Sequence, residues 1–206
     1  MQSNDWKVSR RVVALLVVGL VLVAGILGGV RMLTSSRLPE IVETVFNYPD
    51  TPPEGMLPEG VRPLRYALDL RIIPEENYFS GTASIEIEVD LHTRFIWLHG
   101  RALDVSRIEA RKPDGSFVAA QWEQVTDGGV ARVTFDTPLE PGSLLLQIEY
   151  EAPYSTNPDG LYKVVVDGKP MVFSQVSAID ARRAFPGFCQ PPFKVPLAIA
   201  RFSPVP

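Results

Sequence analysis

The chain has 206 residues, 46% hydrophobic and 9% aromatic, enough for one ordinary domain with a real core plus appendages. Its net charge of −4 comes without a basic cluster, which argues against nucleic acid as a partner because phosphate binding needs a concentrated Lys/Arg face. A single cysteine, Cys189, excludes an internal disulfide. The two histidines, His92 and His99, form no H-E-x-x-H pair, so no recognisable zinc ligand set is present.

The first element in chain order is apolar. From Val12 to Val30 nineteen residues pass without a charge, and a helix of that length, at about 1.5 Å per residue, matches a hydrocarbon core of ~30 Å. Gly19, Gly25, Gly28 and Gly29 are tolerated in such a helix because lipid offers the backbone no competing hydrogen-bond partner. Lys7, Arg10 and Arg11 precede the run and Arg31 and Arg37 follow it, a modest bias towards a cytoplasmic N-terminus. A cleaved signal peptide begins the same way. Its apolar stretch is shorter, however, at ~7–15 residues, and no A-x-A site follows this one. The expectation is a single-pass signal anchor in the cell membrane, with residues 1–11 cytoplasmic, residues 12–31 crossing, and the rest of the chain outside the cytoplasm.

Residues 32–60 hold Pro39, Pro49, Pro52, Pro53 and Pro58 among Ser, Thr, Asp and Glu with no sustained period, and read as a stiff linker. From Val61 the pattern alternates, as strands with one buried face do. Tyr66, Leu68 and Leu70 interleave with Ala67, Asp69 and Arg71; Ile85, Ile87 and Val89 interleave with Ser84, Glu86 and Glu88. Phe95-Ile96-Trp97-Leu98 is apolar throughout, which predicts a strand buried on both faces. Turn chemistry at Pro113-Asp114-Gly115, Asp127-Gly128-Gly129, Pro141-Gly142 and Asp167-Gly168 then separates further short runs up to Phe173. The 19 prolines and 15 glycines fall between these runs, so roughly eight to ten strands are expected with no amphipathic helix. That predicts an all-β fold, an antiparallel β-sandwich over residues 61–200, with residues 201–206 as a tail.

Phe173-Ser174-Gln175-Val176-Ser177-Ala178-Ile179-Asp180-Ala181-Arg182-Arg183-Ala184-Phe185-Pro186-Gly187-Phe188-Cys189-Gln190-Pro191-Pro192-Phe193-Lys194 is too particular for generic β sequence. It resembles the signature that closes the N-terminal domain of the aminopeptidase N family of zinc metallopeptidases. Pro63-Leu64-Arg65-Tyr66-Ala67-Leu68-Asp69-Leu70, Phe79-Ser80-Gly81-Thr82-Ala83-Ser84-Ile85, Ile96-Trp97-Leu98-His99 and Asp159-Gly160-Leu161-Tyr162 are similar to that domain's earlier motifs, in the same order. The resemblance implies a non-catalytic domain, because the family binds its zinc downstream through H-E-x-x-H and a distant Glu; no metal ligand and no cofactor is expected within this chain.

In that family the Gln of the signature lines the substrate cleft, and a Glu two residues on anchors the α-amine of a peptide. By resemblance Gln175 takes the first position, while Ser177 replaces the amine-anchoring Glu, and a hydroxyl carries no charge to offset an ammonium. Gly187, Cys189 and Gln190 stand where Cys, Asp and Glu are usual. Asp180, Arg182 and Arg183 read as an ion pair holding the loop, and Cys189 as a plain small residue. His99 reads as locally bonded, and His92 as facing water. Two functions from different classes remain. The chain is a truncated or accessory part of a peptidase acting on peptide N-termini, partnered by a separate catalytic domain, or it is a stand-alone tethered module that binds another protein.

Overall fold

The computed structural model describes residues 48–177 and 179–202. The expected cytoplasmic segment, the anchor at 12–31 and the linker as far as residue 47 lie outside them; among the described residues no helix is long and apolar enough to cross a membrane.

Among the described residues ten strands follow one another: β1 Val61–Arg71, β2 Tyr78–Val89, β3 Thr93–His99, β4 Asp104–Arg111, β5 Phe117–Gln124, β6 Val130–Leu139, β7 Gly142–Pro153, β8 Gly160–Val166, β9 Lys169–Gln175 and β10 Leu197–Phe202. A short 3-10 turn, Asp180–Arg183, stands between β9 and β10. The all-β expectation holds. Two details of the expected sandwich need correction. Eight strands form one continuous sheet in the order β10-β1-β2-β7-β4-β5-β6-β3, and β8 and β9 form a separate hairpin. The sheet curls over at β5, whose first half pairs with β4 through Ala119 and Glu109 while its second half pairs with β6 through Ala120 and Phe135. Layers that turn signals divide in the sequence are therefore bridged by one uninterrupted strand. The second correction concerns direction, since β10 runs parallel to β1, with Tyr66 opposite Leu197.

Period-2 burial explains the core. On β2 the residues Phe79, Ala83, Ile85, Ile87 and Val89 face inward, and on β7 Leu144, Leu146, Ile148, Tyr150 and Ala152 do. On β1 the phase changes from Val61 and Pro63 to Tyr66, Leu68 and Leu70, because a bulge between Pro63 and Arg65 inserts one residue. A bulge also accommodates a proline inside a paired strand, since proline lacks the N–H that a ladder requires.

β3 ends the strand order, yet of the apolar run Phe95–Leu98 the residues Ile96, Trp97 and Leu98 are buried and Phe95 half-buried, and His99 after it is buried too. The proline-rich stretch supplies part of the cover. Trp97 Nε1 donates to Pro49 O at 2.8 Å, Tyr48 packs on Phe95 with ring centroids 5.6 Å apart, and Arg132 lies 3.9 Å above the Phe95 ring while pairing with Asp50. Tyr48 and Leu57 thus belong to the core, and residues 48–60 are fastened to the domain.

Candidate functional site

The segment after β9 is built by backbone geometry first. β9 ends at Gln175, opposite Gly160 of β8, and Gln175, Val176 and Ser177 are exposed. Ser177 O accepts from Asp180 N at 2.8 Å, which turns the chain into the 3-10 turn, and Ala181 O accepts from both Ala184 N and Phe185 N. From there the loop is stitched to the sheet at successive points. Tyr150 Oη donates to Ala184 O at 2.8 Å, and Tyr66 Oη accepts from Phe188 N at 2.9 Å. Gly187 and His99 exchange two backbone hydrogen bonds, each 2.8 Å, and His99 Nδ1 accepts from Cys189 N at 3.2 Å. Gln190 Oε1 accepts from Leu57 N at 2.7 Å.

The charged residues of the loop serve the same end. Arg182 donates from Nη1 to Gly128 O at 2.8 Å, and its carbonyl accepts from Arg101 N at 2.7 Å. Arg183 Nε pairs with Asp159 Oδ2 at 3.0 Å, and Ser155 Oγ donates to the other oxygen of the same carboxylate. The ion pair is not the one expected within the loop between Asp180 and its arginines; Arg183 instead ties the loop to Asp159, just before β8. His92, expected to face water, is half-exposed, with Nδ1 2.8 Å from Glu140 Oε2.

Burial sets the protonation states. It pushes the Tyr66 and Tyr150 phenols above their ordinary range and the Cys189 thiol up to about 11, with Arg182 opposing the thiol's shift. Cys189 is thus a neutral thiol at physiological pH and no ready nucleophile. His99 is held down at about 4, first by burial and then by the Arg182 charge. Removing the Tyr150 hydroxyl leaves a buried carbonyl without its donor, so Tyr150→Phe should lower unfolding free energy by about 1–3 kcal/mol in urea titrations. Exposed Tyr78→Phe should stay within about 0.5 kcal/mol.

Beside this loop lies an apolar surface. A groove of about 300 Å³ runs between the β8–β9 hairpin and the β1–β10 edge, lined among others by Leu70, Val172, Phe173, Val176, Leu197 and Ile199. Val164, Val165 and Val166 are all exposed on consecutive positions, so the hairpin presents aliphatic side chains on both of its faces. Ile199 is 58% and Ile179 60% exposed. Exposed apolar side chains grouped in this way make this face the candidate for an interaction surface.

With this architecture the chain matches, over residues 62–204, the family described as the peptidase M1 N-terminal domain. The chain belongs to that family. It is 30% identical over 159 residues to human glutamyl aminopeptidase, covering 72% of this chain and 16% of that protein. It is 32% identical over 152 residues to aminopeptidase 2 of Candida albicans, covering 70% and 16%, and 29% identical over 145 residues to aminopeptidase M1-C of Oryza sativa subsp. japonica, covering 68% and 16%. The chain thus spans about one-sixth of the length of these relatives.

Zinc, which the family implies, does not fit the residues present here. Among the described residues no three His, Cys, Asp or Glu side chains gather as a metal site. His92 precedes β3 and His99 ends it, seven positions and so roughly 23 Å apart at an extended rise, and His99 Nδ1 is already occupied by a backbone N–H. The departures from the family signature are locally accommodated. Gln190 keeps an acceptor oxygen for Leu57 N, and any side chain at Gly187 would bring a Cβ within 3.0 Å of the Tyr66 ring.

Proposed function

We propose that this chain is the membrane-anchored, non-catalytic N-terminal portion of an M1 aminopeptidase, docking a zinc-bearing catalytic domain through the face made by the β8–β9 hairpin, Val176, Ile179 and β10. The observation that carries the reading is that face: aliphatic on both sides of a hairpin, continuous with the family signature, and far too exposed for a domain that works alone. In this role the domain walls one side of the substrate cleft. Gln175 offers an amide at the rim, while Ser177 offers a hydroxyl and no carboxylate, so the α-ammonium of a peptide draws its counter-charge from elsewhere. The charge-free run 12–30 supports the anchor and the placement of the β domain outside the cytoplasm.

The purified chain alone should hold no stoichiometric zinc and hydrolyse no aminoacyl substrate. Recovered by affinity tag from the membranes of the cells that make it, it should bring along an aminopeptidase activity abolished by a chelator. Ile199→Asp, which puts a charge in the docking face at a side chain that is 58% exposed, should lose that activity. Activity retained by Ile199→Asp, or none recovered with the wild type, would overturn the docking role. Release of the chain from membranes by alkaline carbonate would separately overturn the anchor.

A further inference from the structure

His99 is the most deeply buried ionisable side chain in the loop's surroundings, at 1% exposure, and docking does not use it. Its backbone pairs with Gly187 and its Nδ1 accepts from Cys189 N at 3.2 Å, so one residue at the end of β3 grips the loop at two successive places. An accepting Nδ1 assigns the imidazole proton to Nε2, which is buried without a hydrogen-bond partner among the described residues. We propose that His99 is an acid-sensitive latch, holding the segment Gly187–Gln190 against β3 while neutral and releasing it on taking up a second proton.

A proton on Nδ1 turns the acceptor into a donor facing another donor, the Cys189 N–H. It also creates a second cation beside Arg182. The ionisable groups around His99 provide no counter-charge: Arg182 on the 3-10 turn is itself positive, and the Cys189 thiol on the loop is neutral. Tyr66 of β1 meets the loop at Phe185, Gly187 and Phe188 and is a neutral phenol; β6 brings Val130 opposite His99. Among the described residues Arg182 has no carboxylate partner, for its Nη1 donates to Gly128 O and its Nε is buried unpaired. The sign follows from a lowered imidazole pKa. The closed loop has its full stability above about 6.5, the ordinary histidine value, loses it as pH falls towards about 4, and changes no further below that. The same segment walls a second groove, with Phe188, Cys189, Pro191 and Phe193, so acidification would loosen part of the docking face. That consequence rests on the docking reading; the latch does not.

The chain's single cysteine lies on the moving segment and reports its opening. The full-length chain in detergent is labelled with 4,4′-dithiodipyridine, which reacts at acid pH, and each rate is divided by that of the denatured chain. The relative rate should rise about tenfold or more from pH 7 to pH 4.5 with the far-UV dichroism unchanged. His99→Asn, whose Oδ1 accepts from Cys189 N and does not titrate, should stay protected at both pH values. An equal rise in His99→Asn, no rise in the wild type, or loss of β signal over the same range would each overturn the latch. If His99→Asn fails to fold, proton NMR of the wild type decides. With only two histidines present, the resonance of His99 should titrate at the labelling midpoint, and a midpoint that follows His92 or neither sinks the proposal.

Discussion

Ile87→Asp is expected to abolish the fold, whereas Ser84→Asp on the same strand is expected to leave it standing. Ile87 has no exposed surface and sits opposite Leu144 near one end of the β2–β7 ladder, with Ile85 and Val89 on the same face. An aspartate there forfeits about 2–4 kcal/mol of apolar burial and packing and adds a buried carboxylate with no partner. The total reaches about 5 kcal/mol or more, comparable with the whole stability of an ordinary domain. Ser84 faces the other way and is only partly covered, opposite Gln147, so a carboxylate there keeps its water. The expected cost is about 1 kcal/mol or less. Urea unfolding followed by tryptophan fluorescence and far-UV dichroism separates the two; similar midpoints for both variants would contradict the side-chain register of β2.

Much of this fold was legible because alternation is read residue by residue. Tyr66, Leu68 and Leu70 of β1 and Ile85, Ile87 and Val89 of β2 face inward as their apolar spacing predicts, and Asp167-Gly168 does form the two-residue turn of the β8–β9 hairpin, with positive φ at both positions. What escaped depends on pairings distant along the chain. Nothing local says that β5 passes from one layer to the other, since the break lies in which neighbour Ala119 and Ala120 meet. β10 was missed because Leu197 and Ile199 alternate with two alanines over too few residues to stand out, and its parallel pairing with β1 needs a return path that only the folded chain shows.

The candidate site divides in the same way. The signature was recognisable as a unit, but its anchors lie upstream: Tyr66, His99, Tyr150 and Asp159 hold residues 183–189 across sequence gaps that no spacing rule covers. Three of these four, Tyr66, His99 and Asp159, fall inside motifs that carry the family resemblance without any statement of what their side chains bind. A tyrosine or histidine closing an apolar alternation could have been flagged there, because a buried polar tip must find a partner. The departures at Gly187, Cys189 and Gln190 then read differently. Gln190 takes a hydrogen bond from Leu57 N, while Arg182 Nε and His99 Nε2 are buried without a hydrogen-bond partner among the described residues.

Gly160 gives the second large effect. Its φ of 65° lies in the left-handed region, and a Cβ built there would stand 2.7 Å from Arg183 Cβ and 3.4 Å from the backbone of Arg183 and Asp180. Two penalties therefore add: about 1 kcal/mol for a side chain in that backbone region, and a contact relieved only by moving the 3-10 turn away from β8. Moving the turn in turn strains the Arg183–Asp159 ion pair, which begins on the neighbouring residue. Gly160→Ala is expected to lower unfolding free energy by about 3 kcal/mol or more. Gly168→Ala is the control, for its φ is 74° and no atom lies within 4 Å of the added carbon. It should lose only the conformational share, about 1 kcal/mol. Hydrogen exchange should show the difference as local, with the amides of Ala184, Gly187 and Phe188 losing protection in Gly160→Ala and keeping it in Gly168→Ala. Equal stability losses in the two variants, with the loop amides still protected, would mean that the close approach of β8 to the signature does not hold the loop in place.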